Sequence, residues 1–186
     1  MKRICICGGG SLGHVIAGYL SAKKDLEVNI LTQRPQLWKH ELQISTPEGD
    51  TLCGKLNTVS DKPEEALHEV DIVLLCLPGY AIKSELLKIK PYANERTYVG
   101  TVFSSTGFFF EALEILDNDV PLWGFQRVPF IARTTHYGES ANLLGYKNAH
   151  NIAVERSNDK EAFRAKLETL FDAPVHLLGN YYEASL

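Results

Sequence analysis

The chain has 186 residues, 23 Asp and Glu against 19 Lys and Arg, a net charge of −4 and 45% hydrophobic content. A chain of that size and composition builds its own core, which excludes intrinsic disorder and collagen-like structure. Its longest basic run is Lys23-Lys24 and its longest uncharged apolar stretch, Ile72 to Ile82, is broken by Pro78-Gly79, so neither a nucleic-acid partner nor a membrane span is expected.

From the N-terminus, Arg3–Cys7 reads as a strand, followed by GGGSLG and an amphipathic helix from about Leu12 to Lys24. The three glycines interrupt what would otherwise imitate a signal peptide. Glu27–Leu31 is a second strand. Ile44–Thr46 and Thr51–Gly54 flank a turn-rich loop and read as a hairpin, and Thr58–Ser60 as a short strand. Pro63 opens a short helix to about Glu69. The run 71–77 (DIVLLCL) is apolar throughout, the pattern of a parallel strand covered on both faces. A helix from Ala81 to Ile89, a strand over Thr97–Phe103 and a helix from Phe108 to Leu116 follow. Beyond Pro121 come the short strands Leu122–Gln126, Pro129–Thr135, Ala141–Tyr146 and Asn151–Glu155. A helix from Asp159 to Phe171, with Asn158 and Glu161 as a capping box, and a last strand over Val175–Leu178 complete the chain. The expected class is α/β: a doubly wound, mostly parallel sheet with helices on both faces and antiparallel additions near the C-terminus.

The pattern Gly8-x-Gly10-x-x-Gly13 lies between the first strand and the first helix. Gly8 permits the tight turn, Gly10 the approach of a pyrophosphate, and Gly13 close helix–strand packing. With Ser11 and Leu12, these residues present helix N–H groups to phosphate, so the loop is expected to bind a dinucleotide. The plain alternative is a glycine-rich turn without a ligand. An NAD site usually ends its second strand with Asp or Glu, but here the sequence is Leu31-Thr32-Gln33-Arg34-Pro35. Thr32 and Arg34 suit a 2′-phosphate, so NADP(H) is expected over NAD(H), with a solvated Arg34 as the alternative. Leu77 and Pro78 end the buried strand and line the cofactor side or simply close a turn. Ser104–Gly107 closes the next strand in the same way. Cys5 and Cys7 read as small buried residues in a reducing cytoplasm, with a Cys-x-Cys metal clip as the alternative.

The glycine loop, the DIVLLCLP run, the STGF turn, Gly124–Arg133, Tyr137-Gly138, the LLGYK segment and the Ile152-Ala-Val strand together resemble the opine dehydrogenases over residues 3 to 178. Phe130 and Ala132 stand where that family often carries Trp and Cys. The glycine loop is shared with ketopantoate reductase, the alternative family. The resemblance implies a nicotinamide-dependent dehydrogenase acting on CH–NH, which joins an amino acid to a 2-keto acid through an imine or runs the reverse. It also implies a second, helical domain carrying the catalytic His with an acidic partner. Residues 1–180 are therefore expected to form the cofactor domain and 181–186 the start of a linker, with homo-oligomers possible. No catalytic residue is assigned within the chain, and the isolated chain is expected to be inactive.

Gln126, Arg133 and His136 fall in the family-like segment and are candidates for the substrate side. The Arg133 fork suits a carboxylate, with a plain surface residue as the alternative. His14 follows Gly13 and either touches the cofactor or is structural. His40 and His150 are read as loop residues, His68 as solvated and His176 as part of the last strand. A stand-alone nucleotide-binding regulatory module is the remaining functional alternative.

Overall fold

The computed structural model describes residues 2–186. In chain order the elements are β1 (Arg3–Cys7), α1 (Ser11–Ser21), β2 (Glu27–Leu31), β3 (Glu41–Ser45), β4 (Thr51–Lys55), β5 (Thr58–Ser60), α2 (Pro63–Ala66), β6 (Ile72–Leu75), α3 (Gly79–Ile89), β7 (Tyr98–Thr101), α4 (Phe108–Ile115), β8 (Leu122–Phe125), β9 (Phe130–His136), β10 (Ser140–Tyr146), β11 (His150–Glu155), α5 (Lys160–Phe171), β12 (Val175–Leu177) and α6 (Tyr181–Ser185). The chain divides into two compact units: one runs to Cys76 and takes back Phe130–Tyr146, the other holds Leu77–Pro129 and Lys147–Leu186.

The first unit is built on parallel strands in the order β5-β2-β1-β6. Ile4, Cys5, Ile6 and Cys7 are all buried, as are the four residues of β6, because both sheet faces are covered. A second sheet, ordered β4-β3-β10-β9, has two antiparallel hairpins joined by parallel pairing of β3 with β10. Helix α1 packs against this sheet through missing side chains. A Cβ on Gly18 would meet the Ile44 side chain, and one on Gly54 would meet Ser21 and the Gly18 backbone. Tyr19 adds a ring contact with Phe130, centroids 5.0 Å apart. The sequence showed the first hairpin and the two strands of the second, but not that they share a sheet.

In the second unit β7 runs parallel to β8, β8 antiparallel to β11, and β11 parallel to β12. Trp123 fills the space beside Gly100, while Tyr98 stacks on Phe163 at 3.9 Å. Arg156 caps the end of α4 by donating to the carbonyls of Leu113, Leu116 and Asp117.

Three local expectations change. Helix α5 is capped by Asp159, whose carboxylate accepts from Ala162 N–H at 2.9 Å, and not by Asn158. Pro63 starts only a single turn, Pro63–Ala66. Residues 181–185 are helical, and Tyr181 N–H donates to Glu155 at 3.0 Å. His150 opens β11 and is 2% exposed, packed on Phe125 and Phe171, so it is a core residue and not a loop one.

Candidate dinucleotide site

The glycine loop begins as a continuation of sheet pairing, with Gly8 N–H donating to the Leu31 carbonyl at 3.0 Å. Gly8 has φ +118, left-handed space that favours glycine. A Cβ on Gly13 would strike the Gly8 carbonyl, so helix and loop meet there only because Gly13 has no side chain. Gly10 is different: a Cβ built on it meets nothing within 4 Å, and its φ of −82 is open to any residue. Nothing within the described residues requires glycine there.

The first hydrogen bond of α1 runs from His14 N–H to the Gly10 carbonyl at 3.0 Å, so the N–H groups of Ser11, Leu12 and Gly13 have no partner inside the helix. No side chain caps that end and no acid lies in its first turn. The amides and the helix dipole favour an anion. The cradle thus fits a pyrophosphate.

The Ser11 hydroxyl faces β9. It accepts from Thr134 N–H at 3.0 Å and pairs with the Thr134 hydroxyl at 3.1 Å. Its main chain, not its side chain, is what remains for phosphate. Leu12 is half-buried. Thr32 is buried, with its N–H donating to the Ser60 carbonyl at 3.0 Å and its hydroxyl beside Gly9. Arg34 is exposed, its guanidinium 5.1 Å from the centre of the Tyr137 ring, and it forms no ion pair among the described residues.

His14 is fully buried. Its Nδ1 lies 2.9 Å from the Gly10 carbonyl, an acceptor only, so Nδ1 carries the proton. Nε2 then accepts the Gly138 N–H at 2.7 Å. Burial holds the ring below its ordinary pKa. The imidazole stacks on Trp38 at 4.2 Å and meets Tyr137 edge-on at 5.1 Å. His14 is a clamp between the loop and the β9–β10 turn.

Arg133 and His136 lie exposed on β9, His136 Nδ1 within 3.2 Å of the Ser140 hydroxyl. In the second unit, Leu77 is half-buried and Pro78 exposed immediately before α3. Gln126 there has both ends of its amide engaged, donating to the Glu183 carbonyl at 2.9 Å and accepting from Asn151 at 3.1 Å. The Ser104 hydroxyl is spent on the Phe125 carbonyl at 2.8 Å. Burial pushes the Cys76 thiol up. No group of three or more metal-ligating side chains occurs among the described residues.

From sequence, Tyr137 entered only as part of the family-like stretch, with no role at the site, and Trp38 was not singled out. One signal was present: Gly9 has no part in the Gly8, Gly10, Gly13 pattern. A Cβ there would meet the Tyr137 hydroxyl, and Thr32 Oγ1 at 3.2 Å.

Residues 4–104 match the family model described as ketopantoate reductase PanE/ApbA. The chain is 26% identical to an opine dehydrogenase of Haliotis discus hannai, over 96% of this chain and 49% of that protein. A solved octopine dehydrogenase with NADH and agmatine superposes with a TM-score of 0.89 at 22% identity, covering 99% of this chain and 50% of that one. A yersinopine dehydrogenase with NADP+ bound gives 0.76 at 14% identity, covering 100% and 49%. The fold is that of these dehydrogenase domains, a mostly parallel sheet flanked by helices. The chain spans about half the length of the curated relatives it matches.

Proposed function

The chain belongs to the ketopantoate reductase PanE/ApbA family, and from that premise we propose that it is the cofactor-binding half of an opine-type dehydrogenase. The proposed reaction is reductive condensation of an amino acid with a 2-keto acid, or its reverse. The observation that carries the cofactor assignment is the contrast within the glycine loop: Gly13 is closed by Gly8, while Gly10 opens on empty space at an uncapped helix start. Likeness in sequence to an opine dehydrogenase over nearly the whole chain supports the reaction class.

The proposed cofactor is NADP(H) in preference to NAD(H), held at Gly8, Gly10, Ser11, Leu12 and Gly13, with Thr32 and Arg34 toward the 2′-phosphate and Leu77 and Pro78 on the cofactor side. When bound, the nicotinamide supplies the two-electron reduction of the imine carbon. This chain's residues bind and orient. Arg133 and His136 are proposed on the substrate side, and Gln126 there through α6 and β11, its two amide partners. The proton on nitrogen needs a positioned acid, proposed to lie in a helical second domain. The four cysteines are free thiols, which fits a cytoplasmic site. No described helix is long and apolar enough to cross a membrane. The family model also supports a second reading, reduction of ketopantoate.

Calorimetric titration of NADPH and NADH tests the cofactor assignment. Arg34→Ala is expected to weaken NADPH by about 1.5–3 kcal/mol, on the order of 10- to 150-fold, and to spare NADH. Gly10→Val is expected to fold, because its backbone is unstrained and its Cβ unopposed, and to bind neither nucleotide. Binding by folded Gly10→Val, or equal affinities unchanged by Arg34→Ala, would overturn these assignments. In the longer protein, turnover with ketopantoate and not with a keto acid and amino acid together would decide for the second reading.

A further inference from the structure

Gly9 needs no glycine for its own backbone, since it is absent from the positive-φ residues. What excludes a side chain there is Tyr137, reaching in from the turn between β9 and β10. That turn is fixed from three directions. Gly138 N–H donates to His14 Nε2 at 2.7 Å, the Gly138 carbonyl accepts from Lys39 N–H at 2.8 Å, and Glu139 N–H donates to the His136 carbonyl at 3.0 Å. Gly138 itself has φ +72 and no room for a Cβ against Leu37. Tyr137 is therefore placed by the fold and does not wander as a loop side chain.

Its surroundings are those of the adenosine end of a dinucleotide site. The phenol tip lies against Gly9 and the ring edge meets His14. The Thr32 hydroxyl reaches the same spot from the end of β2. In this class of fold, the end of the second strand faces the adenosine ribose. The Arg34 guanidinium lies over the Tyr137 ring, and among the described residues no carboxylate pairs with it. No hydrogen bond among the described residues engages the Tyr137 hydroxyl. An exposed Arg that must wait for a phosphate spreads over many rotamers, and an aromatic face narrows them.

We propose that Tyr137 is a specificity-determining residue of the nucleotide site: its ring holds Arg34 in place for a 2′-phosphate. The inference rests on the 2′-phosphate assignment of Arg34 above. Tyr137 acts through Arg34, as a positioning residue, and its effect falls on the discrimination between phosphorylated and unphosphorylated ribose. Overall nucleotide affinity changes less.

Adenosine 2′,5′-bisphosphate and AMP isolate this end of the site from the nicotinamide. Their affinities for the 186-residue chain are measured by calorimetry in wild type, Tyr137→Leu, Tyr137→Met, Tyr137→Phe, Arg34→Ala and the Arg34→Ala/Tyr137→Leu double variant. Thermal unfolding confirms that each is folded, and the Met variant stands in if Leu is not. The affinity ratio of the bisphosphate to AMP is expected to fall about two- to fivefold in Tyr137→Leu, the worth of one exposed cation–π contact. Tyr137→Phe keeps the ring and keeps the ratio. In the Arg34→Ala background, removing Tyr137 changes the ratio no further. Equal loss of both ligands in Tyr137→Leu would make Tyr137 a packing residue only and overturn the proposal, leaving the Arg34 assignment standing. A wild-type ratio near one, unmoved by Arg34→Ala, would overturn that assignment and this inference with it.

Discussion

His14 has both ring nitrogens committed: Nδ1–H donates to the Gly10 carbonyl and Nε2 accepts from Gly138. A second proton would have to go on Nε2, breaking the bond to Gly138 and placing a charge between Trp38 and Tyr137. Burial accordingly lowers its pKa, and His150 is lowered by burial first and by Lys147 second. An unfolded His takes up its proton near pH 6.5, the folded ones only below that. The stability tied to both neutral rings is therefore complete above about pH 6.5 and is lost as pH falls through the unfolded value toward the folded ones. The unfolding midpoint is expected to hold steady from pH 8 to 7 and drop toward pH 5, less steeply in His14→Met. A midpoint that rises on acidification would contradict both assignments. Little of this was legible in sequence. Position alone put His14 at the loop, but the partner that decides its role is Gly138, 124 residues away. His150 looked like a loop residue because the turn before it hides the start of β11.

Secondary structure close in sequence was readable wherever a face was fully covered. The apolar runs of β1 and β6 and the glycines between β1 and α1 each have one physical explanation. Pairing between distant elements was not readable: β3 and β10 meet in parallel across a long separation, with a register of only three residue pairs. No local pattern encodes such a contact. Gly18 shows the same limit. Within a helix, Gly→Ala ordinarily stabilises by about 0.5–1 kcal/mol. Here the added methyl runs into the Ile44 side chain of β3, with Cδ1 at 2.7 Å, and overpacking of that kind costs about 1–3 kcal/mol. Gly18→Ala is expected to lower stability in denaturant titration, against its helix propensity. Gly18→Ala should cost less in an Ile44→Ala background, where both Cγ1 and Cδ1 are gone.

At the scale of the molecule, the chain is half the length of the relatives it resembles. It offers a phosphate cradle but no described cluster of acid, base and acceptor suited to a full reaction cycle. We expect residues 1–186 to bind NADPH and to show no turnover with any pair of amino acid and keto acid. Joining them to the proposed helical second domain is expected to restore it. NADPH oxidation by the 186-residue chain, dependent on both substrates, would contradict this and make His136 the first residue to replace. The fold class was legible from strand–helix alternation. The division into two units was not, because the return of Phe130–Tyr146 to the first unit leaves no mark on composition.

That return has a consequence during synthesis. The residues up to Cys76 leave the ribosome with β1, β2 and β6 available to pair, but α1 still lacks β9 and β10 on its outer side. Its cover arrives only when Tyr146 emerges, roughly 4–14 s later at ordinary elongation rates. Over that interval the glycine loop exists without Tyr137 and without the Gly138 clamp on His14. The nascent nucleotide site is therefore assembled in two instalments, and the second is delivered only after the whole of Leu77–Pro129 has been made.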